Sequence, residues 1–181
     1  ARQDRKDQPR VPITAKLVAN LIAAAGTNRV LCMDLHASQI QGFFDLPVDH
    51  LYAINVLCDY FLKKKLKNMV VVAPDVGGLK MARAYAKHLG AGLAIVDKRR
   101  ASPEKTEVMH VLGSVRGKNA IMVDDIVATG GSMIEAAEVL RKKGVKSLYA
   151  AVSHGILSGP ALKRIRDCSI LKEVVITDSI P

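Results

Sequence analysis

Tryptophan is absent from this sequence of 181 residues, which carries only three Phe and four Tyr. With so few rings, the stacking platforms that single-stranded nucleic acids need are not evident. Cysteine is scarce and odd in number. Cys32, Cys58 and Cys168 stand far apart, no C-x-x-C pair exists, and the five His do not fall at zinc-ligand spacing. A reducing cytoplasm is therefore the default location. No apolar run reaches the length of a membrane span, and no signal peptide is visible. Acids are the minority charge, 17 against 27 basic residues, for a net charge of +10.

What is present is enough apolar material for a core, 49% of the residues, in a length that suits one domain or one domain plus part of a second. The basic excess lies partly in short local runs such as Lys63-Lys64-Lys65, which read as solvated helix faces. Polyanionic small molecules explain the remainder as well as nucleic acid does. The expectation is a chain that binds neither nucleic acid nor membrane. The opening stretch is very polar and begins at Ala1 without Met, as expected of a piece of a longer protein.

Periodicity predicts helices over 13–25 (stopped by Gly26), 54–66, from Gly77-Gly78 to Leu89 (capped by Gly90), from Ser132 to near Gly144, and over 160–166. Strands are expected at 30–35, 69–73, 93–96, 108–115, around Ala120, 147–152 and 173–177. Gln39 to Phe44 leads into a loop containing Pro47, and 101–105 reads as a mobile loop. Strands alternating with helices imply an α/β fold with a parallel sheet covered on both faces. Ligands of such sheets gather at the carboxyl ends of the strands. Asp34 and His36, Asp75, Lys98 and Arg100, and Asp124 and Asp125 all fall at or just after expected strand ends.

The most informative stretch is Ile121-Met122-Val123-Asp124-Asp125-Ile126-Val127-Ala128-Thr129-Gly130-Gly131-Ser132. An apolar run reads as a buried strand, with two acids where that run ends. A small-residue loop follows, then Ser132 and Glu135 in the S-x-x-E spacing of a capping box. Loop amides and the positive end of a helix converge on one spot that suits a phosphate. Acids and loop together suggest a phosphorylated sugar, hydroxyls on the acids and phosphate on the loop. The plainer alternative is an ordinary strand–turn–helix junction with solvated acids.

That stretch resembles the phosphoribosyl pyrophosphate motif of type I phosphoribosyltransferases and of ribose-phosphate pyrophosphokinases. Four further segments narrow the resemblance to the second family: Arg2 to Asp7, Asp34-Leu35-His36-Ala37-Ser38-Gln39-Ile40-Gln41-Gly42-Phe43-Phe44, Pro74-Asp75-Val76-Gly77-Gly78, and Val96-Asp97-Lys98-Arg99-Arg100. They stand in family order and cover nearly the whole chain, as the central portion of the family protein. The resemblance implies a type I phosphoribosyltransferase sheet flanked by helices. Residues 1–50 would belong to an N-terminal phosphoribosyltransferase-like domain and 51–181 to a similar C-terminal one.

The activity implied is transfer of the diphosphoryl group of ATP to the anomeric hydroxyl of ribose 5-phosphate, with Mg2+, giving phosphoribosyl pyrophosphate and AMP. By the same resemblance Lys98 and Arg100 are the catalytic cations, and Arg100 also meets substrate. Arg2, Gln3 and His36 would contact ATP, His36 and Asp75 the magnesium. Asp124 and Asp125 would take the pentose hydroxyls, and Ala128, Thr129, Gly130, Gly131 and Ser132 the 5-phosphate. Each has a plainer alternative: a solvated charge run for Lys98 to Arg100, a turn for Pro74-Asp75, a frayed end for Arg2 and Gln3. One departure stands out, because the family usually carries an acid where this chain has Ala128. That departure favours a second reading, a non-catalytic regulatory member; a third, a phosphoribosyl-pyrophosphate-binding regulator, stands independently of it. Family members form homo-oligomers built from dimers into hexamers; a homo-oligomer is expected here, but the hexamer is not expected of a piece that lacks the family protein's ends.

Overall fold

A computed structural model describes residues 3–6, 8–99 and 108–180, with the side chains of Lys98, Arg99 and Val108 left out. Arg2, Arg100 and the 101–105 loop lie outside the described residues. The chain divides into two compact units, residues 1–53 and 54–181.

In the first unit, α1 (Thr14–Ala24) ends as Gly26 takes a left-handed φ of 88°. Strand β1 (Val30–Met33) then pairs in parallel with β2 (Val48–Leu51). A 3-10 turn over Ser38–Phe43 joins them. Strand β2 replaces the loop expected after Pro47. Its residues Val48-Asp49-His50-Leu51 mix apolar and charged types and are only partly buried, so no apolar run announces it.

The second unit is built on a six-stranded sheet. Its strands are β3 (Met69–Ala73), β4 (Gly92–Arg99), β5 (Val108–Leu112), β6 (Asn119–Val127), β7 (Ser147–Gly155) and β8 (Leu171–Ile176), in the order β5-β4-β3-β6-β7-β8. Four of the five pairings are parallel. The fifth, β4 with β5, is antiparallel and puts one reversed edge strand on the expected parallel sheet. Only eight residues separate those strands, fewer than the dozen or so that a parallel crossover needs.

The helices are α2 (Ile54–Lys63), α3 (Leu79–Leu89), α4 (Gly131–Lys142) and α5 (Ala161–Asp167). Successive side chains of β3 and β6 point to opposite faces, and both faces are buried. Val70, Val72, Ala120 and Met122 pack with Met133, Ala136, Ala137 and Leu140 of α4. The alternate residues Val71, Ile121 and Val123 are equally inaccessible, and α3 lies along β3 and β6. Phe61 of α2 meets Tyr149 of β7 edge to face, with ring centroids 6.1 Å apart.

Two boundaries differ from expectation. Strand β4 runs past its apolar residues through Asp97, Lys98 and Arg99, because β5 supplies a hydrogen-bonding neighbour as far as Val108. Helix α2 stops at Lys63, and Lys65 adopts a left-handed φ of 53°.

Candidate active site at the carboxyl edge of the sheet

The chain leaves β3 towards β4 on one side, while β6 lies on the other side of β3. That reversal makes the carboxyl ends of β3 and β6 the switch point of the sheet, where a crevice opens by topology alone. The register shows where the two strands part. Strand β6 pairs with β3 from Asn119 to Met122, but with β7 as far as Val127. Asp124 and Asp125 therefore lie where β6 has lost β3 as a neighbour and still has β7. The acids sit inside the strand, three and two residues before its last, Val127.

Both acids are half-buried. The Asp125 amide donates to Asp124 Oδ1 at 2.9 Å. The Asp124 carboxyl is nonetheless pushed up to about 7, by burial first, then by the Asp125 side chain beside it and the charge of Asp75. Three carboxylates from two strand ends thus repel across one crevice. Asp75 is exposed and accepts the Gly78 amide on Oδ1 at 2.9 Å, closing the turn into α3. A side chain on Gly77 would stand 3.1 Å from that oxygen. Lys98 belongs to the carboxyl end of β4, next to β3, where the strand pairs Lys98 with Met109.

The loop after β6 enters α4 through Gly130, left-handed at φ 73° and buried. No side-chain hydrogen bond caps this helix. The capping box expected at Ser132 and Glu135 is therefore corrected, since the N-cap falls two residues earlier. Only a glycine accepts that φ cheaply, and Ser132 lands within the first turn, exposed. Among the described residues, no side chain caps the amides at the start of α4.

Sequence reasoning missed Arg164 of α5. Its Nη1 donates to the Thr129 carbonyl at 3.0 Å, across 35 residues of sequence.

In the first unit, His36 is exposed and follows Asp34, which is buried at a left-handed φ of 40°. Asp34 Oδ2 accepts the Ala53 amide at 3.1 Å, and the Leu35 amide donates to His50 Nε2 at 3.0 Å. Those two tethers fix the backbone on which His36 stands. Gln3 is exposed, with its carbonyl accepting Ala15 N–H at 3.0 Å and its Oε1 accepting Thr14 Oγ1 at 2.5 Å. Cys32, half-buried, has its thiol pushed up by burial and by Asp49, as befits a packing residue.

Among the described residues, no three His, Cys, Asp or Glu side chains converge closely enough to hold a metal ion on their own. Nor is any described helix long and apolar enough to cross a membrane.

A strand-end acid pair, a glycine loop opening a helix and a sheet of this order together define a class. The chain belongs to the phosphoribosyl transferase domain family, whose model matches residues 52–180, and its sheet is the type I phosphoribosyltransferase fold. The model for the N-terminal domain of ribose phosphate pyrophosphokinase matches residues 1–26.

Within that class the resemblance read from the sequence is borne out. The chain is 59% identical over 181 residues to the ribose-phosphate pyrophosphokinase of Rhizobium meliloti, covering 99% of this chain and 58% of that protein. Its identity to the Campylobacter jejuni ribose-phosphate pyrophosphokinase is 55% over 181 residues, 100% of this chain and 58% of that one. The crystal structure of phosphoribosylpyrophosphate synthetase from Mycobacterium smegmatis matches with a TM-score of 0.92 at 42% identity, over 99% of this chain and 58% of that one. The chain thus spans 58% of the length of each of these curated relatives.

Proposed function

We propose that the protein transfers the diphosphoryl group of ATP to the anomeric hydroxyl of ribose 5-phosphate, releasing AMP and phosphoribosyl pyrophosphate. The observation that carries this reading is the half-buried acid pair Asp124–Asp125 at the switch point, one loop away from an uncapped helix start. Neighbouring pentose hydroxyls donate to the two carboxylates. The 5-phosphate takes the amides of Ala128, Thr129, Gly130, Gly131 and Ser132, aided by the α4 dipole.

In the reaction the anomeric oxygen attacks the β-phosphorus, and the bond from that phosphorus to the oxygen bridging it to the α-phosphate breaks. Negative charge spreads over the transferring phosphate oxygens and the departing AMP. Lys98, at the end of β4, and Arg100 are assigned to that charge, the Lys as a point charge and the Arg as a planar fork that also holds substrate. Arg2, Gln3 and His36 are assigned to ATP. A guanidinium can stack on a purine and a carboxamide can pair with its edge.

The acids of the crevice suit Mg2+. A divalent cation would relieve their mutual repulsion, and magnesium needs only one or two carboxylates from a protein. Asp75 and His36 are each assigned to magnesium, which supplies charge neutralisation on phosphate oxygens. The first unit is read as part of an N-terminal phosphoribosyltransferase-like domain and the second as the C-terminal one. The complete protein is read as a cytoplasmic homo-oligomer.

The test is AMP release from ATP, ribose 5-phosphate and Mg2+ in a coupled assay. AMP should form, and Lys98→Ala should lower kcat on the order of a hundredfold or more. Tight ribose 5-phosphate binding with no AMP would instead identify a regulatory member.

A further inference from the structure

Three consecutive carbonyls, starting at the last residue of β6, are taken up by one short stretch of chain. Leu157 N–H donates to Val127 O at 3.1 Å and Ser158 N–H to Ala128 O at 2.9 Å. Arg164 Nη1 then donates to Thr129 O at 3.0 Å. A trans peptide unit carries its C=O and the next residue's N–H on opposite sides, and no described peptide is cis. Holding the carbonyls of Val127, Ala128 and Thr129 against this wall therefore turns the N–H groups of Ala128, Thr129 and Gly130 away from it. Those are donors assigned above to the phosphate.

The third donor is a side chain for a local reason. At Pro160 the wall turns into α5, where the Ala161 amide is committed to Ser158 O and the Arg164 amide to Pro160 O. No main-chain donor continues the series, and the guanidinium fills the third place. Gly130 and Gly131 lie against α5 at ordinary contact distance: a Cβ on Gly131 would stand 3.5 Å from Arg164 Nη1, and one on Gly130 would stand 3.8 Å from Ala161 Cα.

We infer that Arg164 is a positioning residue of the phosphate loop: by holding the Thr129 carbonyl it aims the Gly130 N–H, and ribose 5-phosphate binding depends on it. The inference rests on the phosphate reading of that loop. Because the bond is solvent-exposed, its effect is moderate, about three- to tenfold in affinity.

The experiment measures ribose 5-phosphate and ATP binding by calorimetry, with backbone 15N order parameters for residues 128–131 of the free protein. The variants are Arg164→Met, which keeps length without a donor, Arg164→Lys, which restores one, and Arg166→Met as a control on the same helix. Arg164→Met should weaken ribose 5-phosphate about three- to tenfold, leave ATP unchanged and lower the order parameters at Thr129 and Gly130. Arg164→Lys should regain most of the loss, and Arg166→Met should match the wild type. Unchanged ribose 5-phosphate binding in Arg164→Met overturns the inference, as does an equal loss for ATP. Should the wild type not bind ribose 5-phosphate, the phosphate reading itself fails. The order parameters still report whether Arg164 braces the loop, so the two failures are distinguishable.

Discussion

The main-chain amide of Asp125 supports the side chain of Asp124, while its own carboxyl opposes it. The hydrogen bond at 2.9 Å favours the charged form of Asp124, yet burial and the neighbouring carboxylates outweigh it and bring the group to about 7. Ionising Asp124 therefore strains the crevice electrostatically.

That strain has a sign. Asp124 releases its proton at about 3.8 in the unfolded chain and about 7 in the folded one, so the folded state binds more protons between those values. Stability of the free protein should fall by up to ~1.4 kcal/mol per pH unit as pH rises through that window. Asp124→Asn keeps an oxygen for the Asp125 amide and cannot ionise. Thermal melts should show it more stable than wild type at pH 8, with the difference vanishing near pH 4, while ribose 5-phosphate binding weakens. An equal difference at both pH values would remove Asp124 as its source.

Ala128→Asp adds a carboxylate three residues after Asp125, at the end of a strand whose acid pair already repels. The free protein should melt lower at pH 8, and added Mg2+ should recover most of the difference. Where an acid at this position contacts pentose or metal, kcat/KM for ribose 5-phosphate rises. Kinetics and melts on the one variant read the two effects separately. A variant with unchanged melting at pH 8 would show that position 128 does not face the acids.

Gly113 follows β5 at a left-handed φ of 104°, and a Cβ there would stand 2.7 Å from the Leu93 carbonyl and 3.0 Å from Ala94. Both neighbours belong to the backbone of β4 and cannot swing aside. Gly113→Ala should destabilise the protein on the order of 2 to 4 kcal/mol by chemical denaturation. Gly26→Ala also has a positive φ but meets open space, and should be the milder change.

How far the sequence discloses this molecule depends on which force placed each residue. Val70 to Ala73 and Ile121 to Val123 are buried on both faces, and such runs declare themselves without context. Strand β2 does not, because Asp49 and His50 interrupt it and pairing with β1 decides its conformation. The end of β4 lay hidden likewise, since Asp97 to Arg99 are strand only through β5. Ser132 and Glu135 carry the right spacing for a cap, but the left-handed Gly130 settles where α4 begins. The carboxyl-end placement of Asp75, Lys98 and Asp124 was legible because sheet topology dictates it. Arg164 was not, because its tie to Thr129 is a contact between segments that no local pattern marks.

A crystal structure of the protein with ribose 5-phosphate tests the central claim most directly. The account predicts the phosphate within about 3 Å of amides between Ala128 and Ser132, with neighbouring pentose hydroxyls on Asp124 and Asp125. A phosphate bound away from that loop, or a pentose whose hydroxyls turn from both acids, would contradict it.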